Sequence, residues 1–142
     1  RHNAGGVDTN RDWGKYRQPE IKAIVKYIEK TLKKEKTNLV LGLDFHSTWY
    51  DVFYTNKERA STPYPKFLDQ WFTALEAHIP NYRVNEKASN STQPVSKGWL
   101  LYGHKAVGVT YEIGDETPRD SIRLIGQTSA KAMMEILLNE AQ

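Results

Sequence analysis

Apolar residues recur along the chain with helical spacing in three segments, which predicts three helices. The first segment opens at Pro19 and passes into a lysine-rich end near Lys36. The second runs from Pro65 to Ile79, and the third begins at about Asp120. Apolar side chains three or four positions apart give each of these helices one face toward a core.

Shorter apolar runs between these helices predict the strands. The run 38–46 is nearly continuous, which is typical of a strand buried on both faces of a parallel sheet, and 106–113 predicts a second such strand. We also expect a short edge strand within 51–55, a short strand at 82–87 and a helical turn within 98–105.

The order of loop, helix, strand, loop, helix, strand and helix predicts an α/β fold. Its sheet should be mainly parallel or mixed and flanked by helices, in one domain that spans residues 1–142. A content of 39% hydrophobic and 26% charged residues excludes disordered and low-complexity classes. The net charge of +3 is too small to indicate nucleic-acid binding, and no apolar run is long enough to span a bilayer. We therefore expect neither nucleic acid nor a membrane as a partner.

Two titratable residues stand where the predicted strands end. His46 closes the first apolar run and Glu112 lies near the end of the last one. Open α/β sheets bind ligands beyond the carboxyl ends of their strands. A single His or Glu at such a position more often has a structural role. Two of them at matching ends of neighbouring strands favour a functional site and a structural role equally. Without cysteine, any metal site must use His, Asp or Glu.

The opening loop carries a third polar group. Asp8, Asn10 and Arg11 lie within four residues, and Arg1 stands ten positions before Arg11. Arginine forks and asparagine amides suit the recognition of a carboxylate. A polar surface loop of the same composition is the alternative.

These groups, taken in order, resemble the zinc metallocarboxypeptidases, the carboxypeptidase A-like family. Arg1 with the run 6–13 (GVDTNRDW) is similar to the family segment R…GVDxNRxW. The run 44–47 (DFHS) is similar to DxHS, and 110–115 (TYEIGD) is similar to TxExGD. The resemblance covers the whole chain, but it corresponds to the C-terminal part of a family catalytic domain.

The resemblance implies a role for each matching residue. His46 would be the third zinc ligand, Glu112 the catalytic carboxylate, and Asp8 a carboxylate that orients a zinc-bound histidine. The substrate, a peptide or amino-acid conjugate, would place its free C-terminal carboxylate against Asn10 and Arg11. Arg1 would stabilise the oxyanion that develops on the scissile carbonyl.

The family's first two zinc ligands, an H-x-x-E pair upstream of the arginine matched by Arg1, do not occur in this sequence. A catalytic zinc takes three protein ligands, and the resemblance identifies one here. We therefore expect this chain to need the N-terminal half of the domain as its partner. Alone, it should be inactive and bind zinc weakly at best.

The loop before the last strand departs from the family pattern. Asn90 stands 22 residues before Glu112, where the family has a mobile tyrosine, and Tyr102 is the nearest candidate for that role. Lys97 falls near the position that sets side-chain specificity. A lysine there would suit an acidic side chain, and the other interpretation is a solvated loop lysine.

Two other functions remain open at this stage. A metal-dependent amidohydrolase on the same scaffold could remove glutamyl, peptidoglycan or N-acyl amino-acid groups. A non-catalytic relative could bind peptide ends, although carboxylate binding alone needs neither His46 nor Glu112. The run 111–115 and the spacing of Arg1 favour the peptidase.

Overall fold

A computed structural model describes residues 2–89 and 93–140. Within these residues the chain forms four helices, four strands and one 3₁₀ turn. In chain order they are the 3₁₀ turn (Thr9–Arg11), α1 (Pro19–Glu35), β1 (Leu41–Thr48), β2 (Val52–Thr55), α2 (Phe67–His78), β3 (Glu86–Ala88), α3 (Ser96–His104), β4 (Val107–Gly114) and α4 (Arg119–Glu140).

The four strands form one mixed sheet in the order β1-β4-β2-β3. β1 is parallel to β4, β2 is parallel to β3, and β2 is antiparallel to β4. The expected α/β class is confirmed. The expectation that 51–55 forms an edge strand is wrong, because β2 lies inside the sheet between β4 and β3. The short edge strand is β3, which starts four residues later than the predicted run 82–87.

One face of the sheet is covered by α2 and α4, which build the larger core. Phe53 of β2 stacks on Tyr111 of β4, with ring centroids 4.2 Å apart, and Trp71 of α2 meets Phe53 edge-on. Alternate residues of β4 point into this core because side chains of a strand alternate between its two faces. The buried members are Phe53, Phe67, Leu68, Trp71, Phe72, Leu75, Ile79, Val107, Val109, Tyr111, Ile125 and Ala132.

The opposite face carries α3, which lies unusually close to β1 and β4. Gly42 and Gly108 are partners in the β1–β4 register. A Cβ at Gly108 would lie 2.5 Å from the Lys97 carbonyl oxygen, and one at Gly42 would lie 2.5 Å from Leu100 Cδ1. The paired glycines therefore make the room in which α3 approaches the sheet. Ile21 and Val25 of α1 complete the smaller core on this side, with Trp99, Leu100 and Ala106.

The prediction that the run 38–46 is buried on both faces is wrong for this structure. β1 is one of the two edge strands of the described sheet, and its residues are partly or fully accessible. Leu41 and Leu43 pack against the larger core, but Phe45 keeps 65% of its surface exposed. Apolar character shows that a strand can be buried, whereas the strand order decides whether other elements cover it.

No helix among the described residues combines the length and the apolar character that a membrane span requires.

Candidate active site

His46 and Glu112 are direct partners in the parallel register of β1 and β4. Each lies two residues before the end of its strand, because β1 ends at Thr48 and β4 at Gly114. The period of two along a strand also places Asp44 and Thr110 on the same face as these two residues. The carboxyl ends of the two strands thus present an imidazole and a carboxylate side by side.

The opening loop brings its polar residues to the same place. Asp8 caps the 3₁₀ turn, and its carboxylate accepts a hydrogen bond of 3.0 Å from the Asn10 backbone N–H. The backbone before the turn passes through Gly6 at a φ of +75°, which favours glycine. This local geometry directs Asn10 toward β1, where its side-chain amide donates to the Asp44 carboxylate at 3.1 Å.

These residues line one open cleft of about 490 Å³. The expected convergence of His46 and Glu112 on a shared cleft is therefore observed. The walls also include the exposed Ile24 of α1. The full lining consists of Asp8, Thr9, Asn10, Arg11, Trp13, Ile21, Ile24, Asp44, His46, Ser47, Thr110 and Glu112.

Arg11 reaches the cleft from the end of the 3₁₀ turn. Its Nη1 donates to the Asn10 carbonyl at 2.7 Å and lies 4.0 Å from an Asp8 carboxylate oxygen. The side chain is 45% exposed, so these contacts orient the guanidinium without burying it. An exposed, oriented guanidinium can bind an incoming carboxylate through two parallel hydrogen bonds.

Asp44 is a central residue of the site that the sequence interpretation did not identify. Its Oδ1 lies 3.0 Å from His46 Nε2, and its Oδ2 accepts from Asn10 and from the Ser96 hydroxyl. A signal for Asp44 was present, since it precedes His46 by two positions on a strand and must share its face. No local pattern pointed to Ser96, which is 52 residues away from Asp44.

The described residues of the cleft supply one side chain, His46, that is suited to bind a metal ion. His46 lines the cleft with a side chain that is 34% exposed, and its Nε2 lies against Asp44 and the Asn10 amide, so Nδ1 would be the coordinating atom. Across residues 2–89 and 93–140, no group of three or more His, Cys, Asp or Glu side chains is arranged to hold a metal. Further ligands would have to come from outside these residues.

Two of the positions that the sequence singled out do not line the cleft, and two others lie outside the described residues. Tyr102 lies on α3 and lines a separate groove with Trp13 and Trp99. Arg1 and Asn90 lie outside the described residues, so their expected roles have no structural counterpart here. Lys97 is not among the residues that line the cleft.

Both interpretations of Lys97, as a solvated loop residue or as a specificity residue in the site, are corrected by its environment. It belongs to α3 and is 6% exposed. Its ammonium donates to the Ser89 carbonyl at 2.7 Å, the Thr55 carbonyl at 3.1 Å and Asn56 Oδ1 at 3.3 Å. Burial lowers the pKa of Lys97, because desolvation disfavours the charged form. The lysine is a structural link between β2, the segment after β3 and α3.

Lys97→Met should lower the free energy of unfolding by about 1–3 kcal/mol, because it leaves three acceptors without their shared donor. The matched control is Lys22→Met, which changes an exposed lysine of α1. Urea unfolding of the two variants beside the wild type measures the difference. Equal stability of all three would mean that the buried ammonium costs as much as its hydrogen bonds contribute.

A second polar cluster fixes the end of β4 from the opposite face. Tyr111 donates from its hydroxyl to Asp51 Oδ1 at 2.6 Å, and Thr117 donates to Asp51 Oδ2 at 2.9 Å. Burial is the largest cause that raises the pKa of Tyr111 far above its usual range, and the hydrogen bond to Asp51 adds to it. Tyr111 therefore stays protonated, and it anchors the strand beside Glu112.

Comparisons with known proteins show the fold. No protein-family profile and no curated protein sequence matches this chain. A metallo-carboxypeptidase from Burkholderia cenocepacia matches 99% of this chain and 40% of its own, with a TM-score of 0.64 and 16% identity. A proposed carboxypeptidase A from Shewanella denitrificans matches 94% of this chain and 40% of its own, with a TM-score of 0.67 and 19% identity.

A third solved structure is the metallo-carboxypeptidase from Pseudomonas aeruginosa in complex with (2-guanidinoethylmercapto)succinic acid. It matches 100% of this chain and 42% of its own, with a TM-score of 0.63 and 17% identity. The chain therefore spans less than half the length of these three structures. Over that span, its mixed sheet and flanking helices have the fold of metallo-carboxypeptidases.

Proposed function

We propose that this chain is the C-terminal part of the catalytic domain of a zinc-dependent hydrolase that removes C-terminal residues from peptides. The observation that carries the proposal is the register pair His46 and Glu112, which faces Asn10 and Arg11 across one cleft. The H-x-x-E zinc ligands would come from the part of the domain that precedes Arg1.

His46 would be the one zinc ligand that this chain supplies. When bound, zinc would polarise the scissile carbonyl and lower the pKa of its water. Glu112 would take a proton from that water and pass it to the leaving amine. Arg1 would stabilise the negative charge that develops on the carbonyl oxygen.

Asn10 and Arg11 would bind the free C-terminal carboxylate of the substrate. An internal peptide bond has no free carboxylate next to it for these two residues to bind, so they would confine cleavage to the C-terminal end of a peptide. The solved Pseudomonas structure supports this chemistry, since its ligand is a derivative of succinic acid, which carries carboxyl groups. Ile24 and Trp13 line the same cleft and would contact the apolar parts of the substrate.

Arg11→Lys should reduce kcat/KM for free-acid peptides by about tenfold or more, because lysine cannot form the two parallel hydrogen bonds of a guanidinium. Peptides amidated at the C-terminus, which are poor substrates already, should change little. The measurement compares matched acid and amide peptides, with the complete protein that contains this chain loaded with zinc.

Arg17→Lys is the control for this experiment, because Arg17 is exposed on the same loop but does not line the cleft. Equal losses on acid and amide substrates would assign Arg11 a structural role and remove the main support for a carboxypeptidase. Turnover of N-acyl amino acids or glutamyl conjugates in place of peptides would identify an amidohydrolase. Binding of peptide ends without any turnover would identify a non-catalytic relative.

A further inference from the structure

β1 forms one edge of the described sheet, but it is not built like a protected edge strand. It is eight residues long, its register with β4 is unbroken, and it contains no lysine, arginine or proline. Its one acidic residue, Asp44, is bonded to Asn10 and Ser96 in the cleft. Natural edge strands are shortened, bulged, charged or covered, because an exposed strand pairs readily with another chain. β3, at the other edge, has only three residues, and one of them is Lys87.

The backbone of β1 pairs with β4 through every second residue. The Val107 N–H donates to the Val40 carbonyl, and the Asp115 N–H donates to the Thr48 carbonyl. In a parallel ladder, the residues between the paired positions turn their N–H and C=O groups to the other side of the strand. The even-numbered residues of β1 therefore face β4. The groups that face the open edge belong to Leu41, Leu43, Phe45 and Ser47.

Apolar surface beside this edge is uncovered on both faces of the sheet. On the face of α2 and α4, Phe45 meets Tyr111 edge-on, with ring centroids 6.3 Å apart, yet keeps 65% of its surface exposed. On the face of α3, an open pocket of about 180 Å³ borders β1, with Ile28, Leu39 and Trp99 among its walls. Strands of a parallel sheet are covered on both faces and are therefore nearly continuous apolar runs. Such a strand, added at this edge, would place apolar side chains on both surfaces at once.

The path of the chain toward β1 indicates the direction of a preceding strand. The loop before α1 lies at the cleft, beyond the carboxyl ends of the strands, where Asn10 contacts Asp44 and His46. α1 then runs back toward the start of β1, with Ile24 in the cleft and Ile28 beside the pocket on the α3 face. A strand that ends in this loop would run parallel to β1, with α1 as the crossover helix between the two strands.

We propose that the open edge of β1 binds a strand from the part of the domain that precedes Arg1, parallel to β1 and apolar on both faces. This inference rests on the proposed function only in that the chain is part of a longer catalytic domain. The chain spans 40% and 42% of two solved structures that share its fold, so more than half of a domain of that size would lie outside it. The added strand would cover Phe45 and hold the end of β1 that carries His46.

Hydrogen exchange of the complete protein that contains this chain tests the pairing and needs neither zinc nor substrate. Spectra resolved by residue should give Leu43 and Phe45 protection factors within about tenfold of those of Gly42 and Asp44. Gly42 and Asp44 are internal controls, because their N–H groups face β4. Protection of Leu43 and Phe45 that is about 10²-fold or more below these controls would mean that the edge is open, and it would overturn the proposal.

Nuclear Overhauser contacts in the same protein identify the strand that pairs. We expect contacts from the amide protons of Leu43 and Phe45 to α-protons of residues that precede Arg1. Contacts to a second copy, with a dimeric mass in sedimentation and protection that is lost on dilution, would overturn the proposal. Close contacts between α-protons of the two strands would also overturn it, because they mark an antiparallel pair.

Phe45→Ala measures whether the added strand covers this ring. Truncation of a covered phenylalanine should lower the unfolding temperature of the complete protein by about 5 °C or more. The matched control is Tyr27→Ala, which truncates a ring that is 72% exposed on α1 and should shift this temperature by about 1 °C. A shift of about 1 °C for Phe45→Ala as well would mean that nothing covers Phe45, and it would overturn the proposal.

The outcomes of these experiments are independent of the proposed activity. Cleavage of free-acid peptides by a protein whose β1 edge is unprotected would overturn this inference and leave the proposed function in place. A β1 edge that pairs with residues before Arg1, in a protein that cleaves no peptide, would support the inference while the carboxypeptidase proposal fails.

Discussion

Glu112→Gln should lower kcat of the zinc-loaded, complete protein by about 10²–10⁴-fold, because it removes the proposed base and keeps the shape of the side chain. Glu112 lies on the cleft face of β4 beside His46, and Tyr111 anchors the neighbouring backbone from the other face. The substitution should therefore leave the strand in place. Zinc content and KM should stay close to those of the wild type, since neither depends on proton transfer.

The matched control is Glu116→Gln, which changes an exposed carboxylate in the turn after β4. Steady-state kinetics on a free-acid peptide, together with metal analysis of each preparation, separates lost chemistry from lost zinc. A kcat of Glu112→Gln within a few-fold of the wild type would show that another group activates the water. Loss of zinc in this variant would instead place Glu112 among the metal ligands.

The sequence was sufficient to place the two strand-end residues. The apolar runs 38–46 and 106–113 predicted two strands of one sheet, and the polar residues that close them indicated a shared edge. The structure pairs these strands directly, so His46 and Glu112 face one cleft. The alternation of side chains along a strand carries this information, because it needs no knowledge of distant residues.

Lys97 shows what a local pattern cannot reveal. The sequence allowed Lys97 to be a solvated lysine of the loop before the last strand. In the structure α3 begins at Ser96, and the ammonium of Lys97 binds carbonyls of β2 and of the segment after β3. Those acceptors lie 42 and 8 residues away. A buried lysine needs partners that only the tertiary structure brings together, so sequence alone favoured a solvated side chain.

Asp44 and Ser96 were missed for a related reason. The aspartate was visible within the motif 44–47, but its two hydrogen-bond donors, Asn10 and Ser96, lie in segments that are distant in sequence. The close approach of α3 depends on Gly42 and Gly108, and isolated glycines in a strand pattern do not reveal which backbone will contact them. Strand order was equally hidden, since β2 and β4 are antiparallel neighbours despite 51 residues or more between them.

Gly108→Ala should destabilise the protein by about 3 kcal/mol, which is the upper part of the usual range for overpacking. The new Cβ would lie 2.5 Å from the Lys97 carbonyl oxygen and 2.8 Å from its Cα, so the backbone of α3 must move. That movement would pull Ser96 away from Asp44 and Asn10. We therefore expect the polar contacts of Ser96 in the cleft to weaken together with the loss of stability.

Gly126 and Gly42 serve as comparisons for Gly108→Ala, because the same substitution meets different surroundings at each position. At Gly126, inside α4, a Cβ contacts nothing within 4 Å, so Gly126→Ala should stabilise the protein by about 0.5–1 kcal/mol. Gly42→Ala should fall between the two, since its Cβ meets the flexible end of Leu100. Denaturant unfolding of the three variants should rank them in the order Gly126, Gly42 and Gly108 from most to least stable. A Gly108→Ala protein as stable as the wild type would show that α3 can move outward at no cost, which would contradict a packing of α3 that requires glycine at this position.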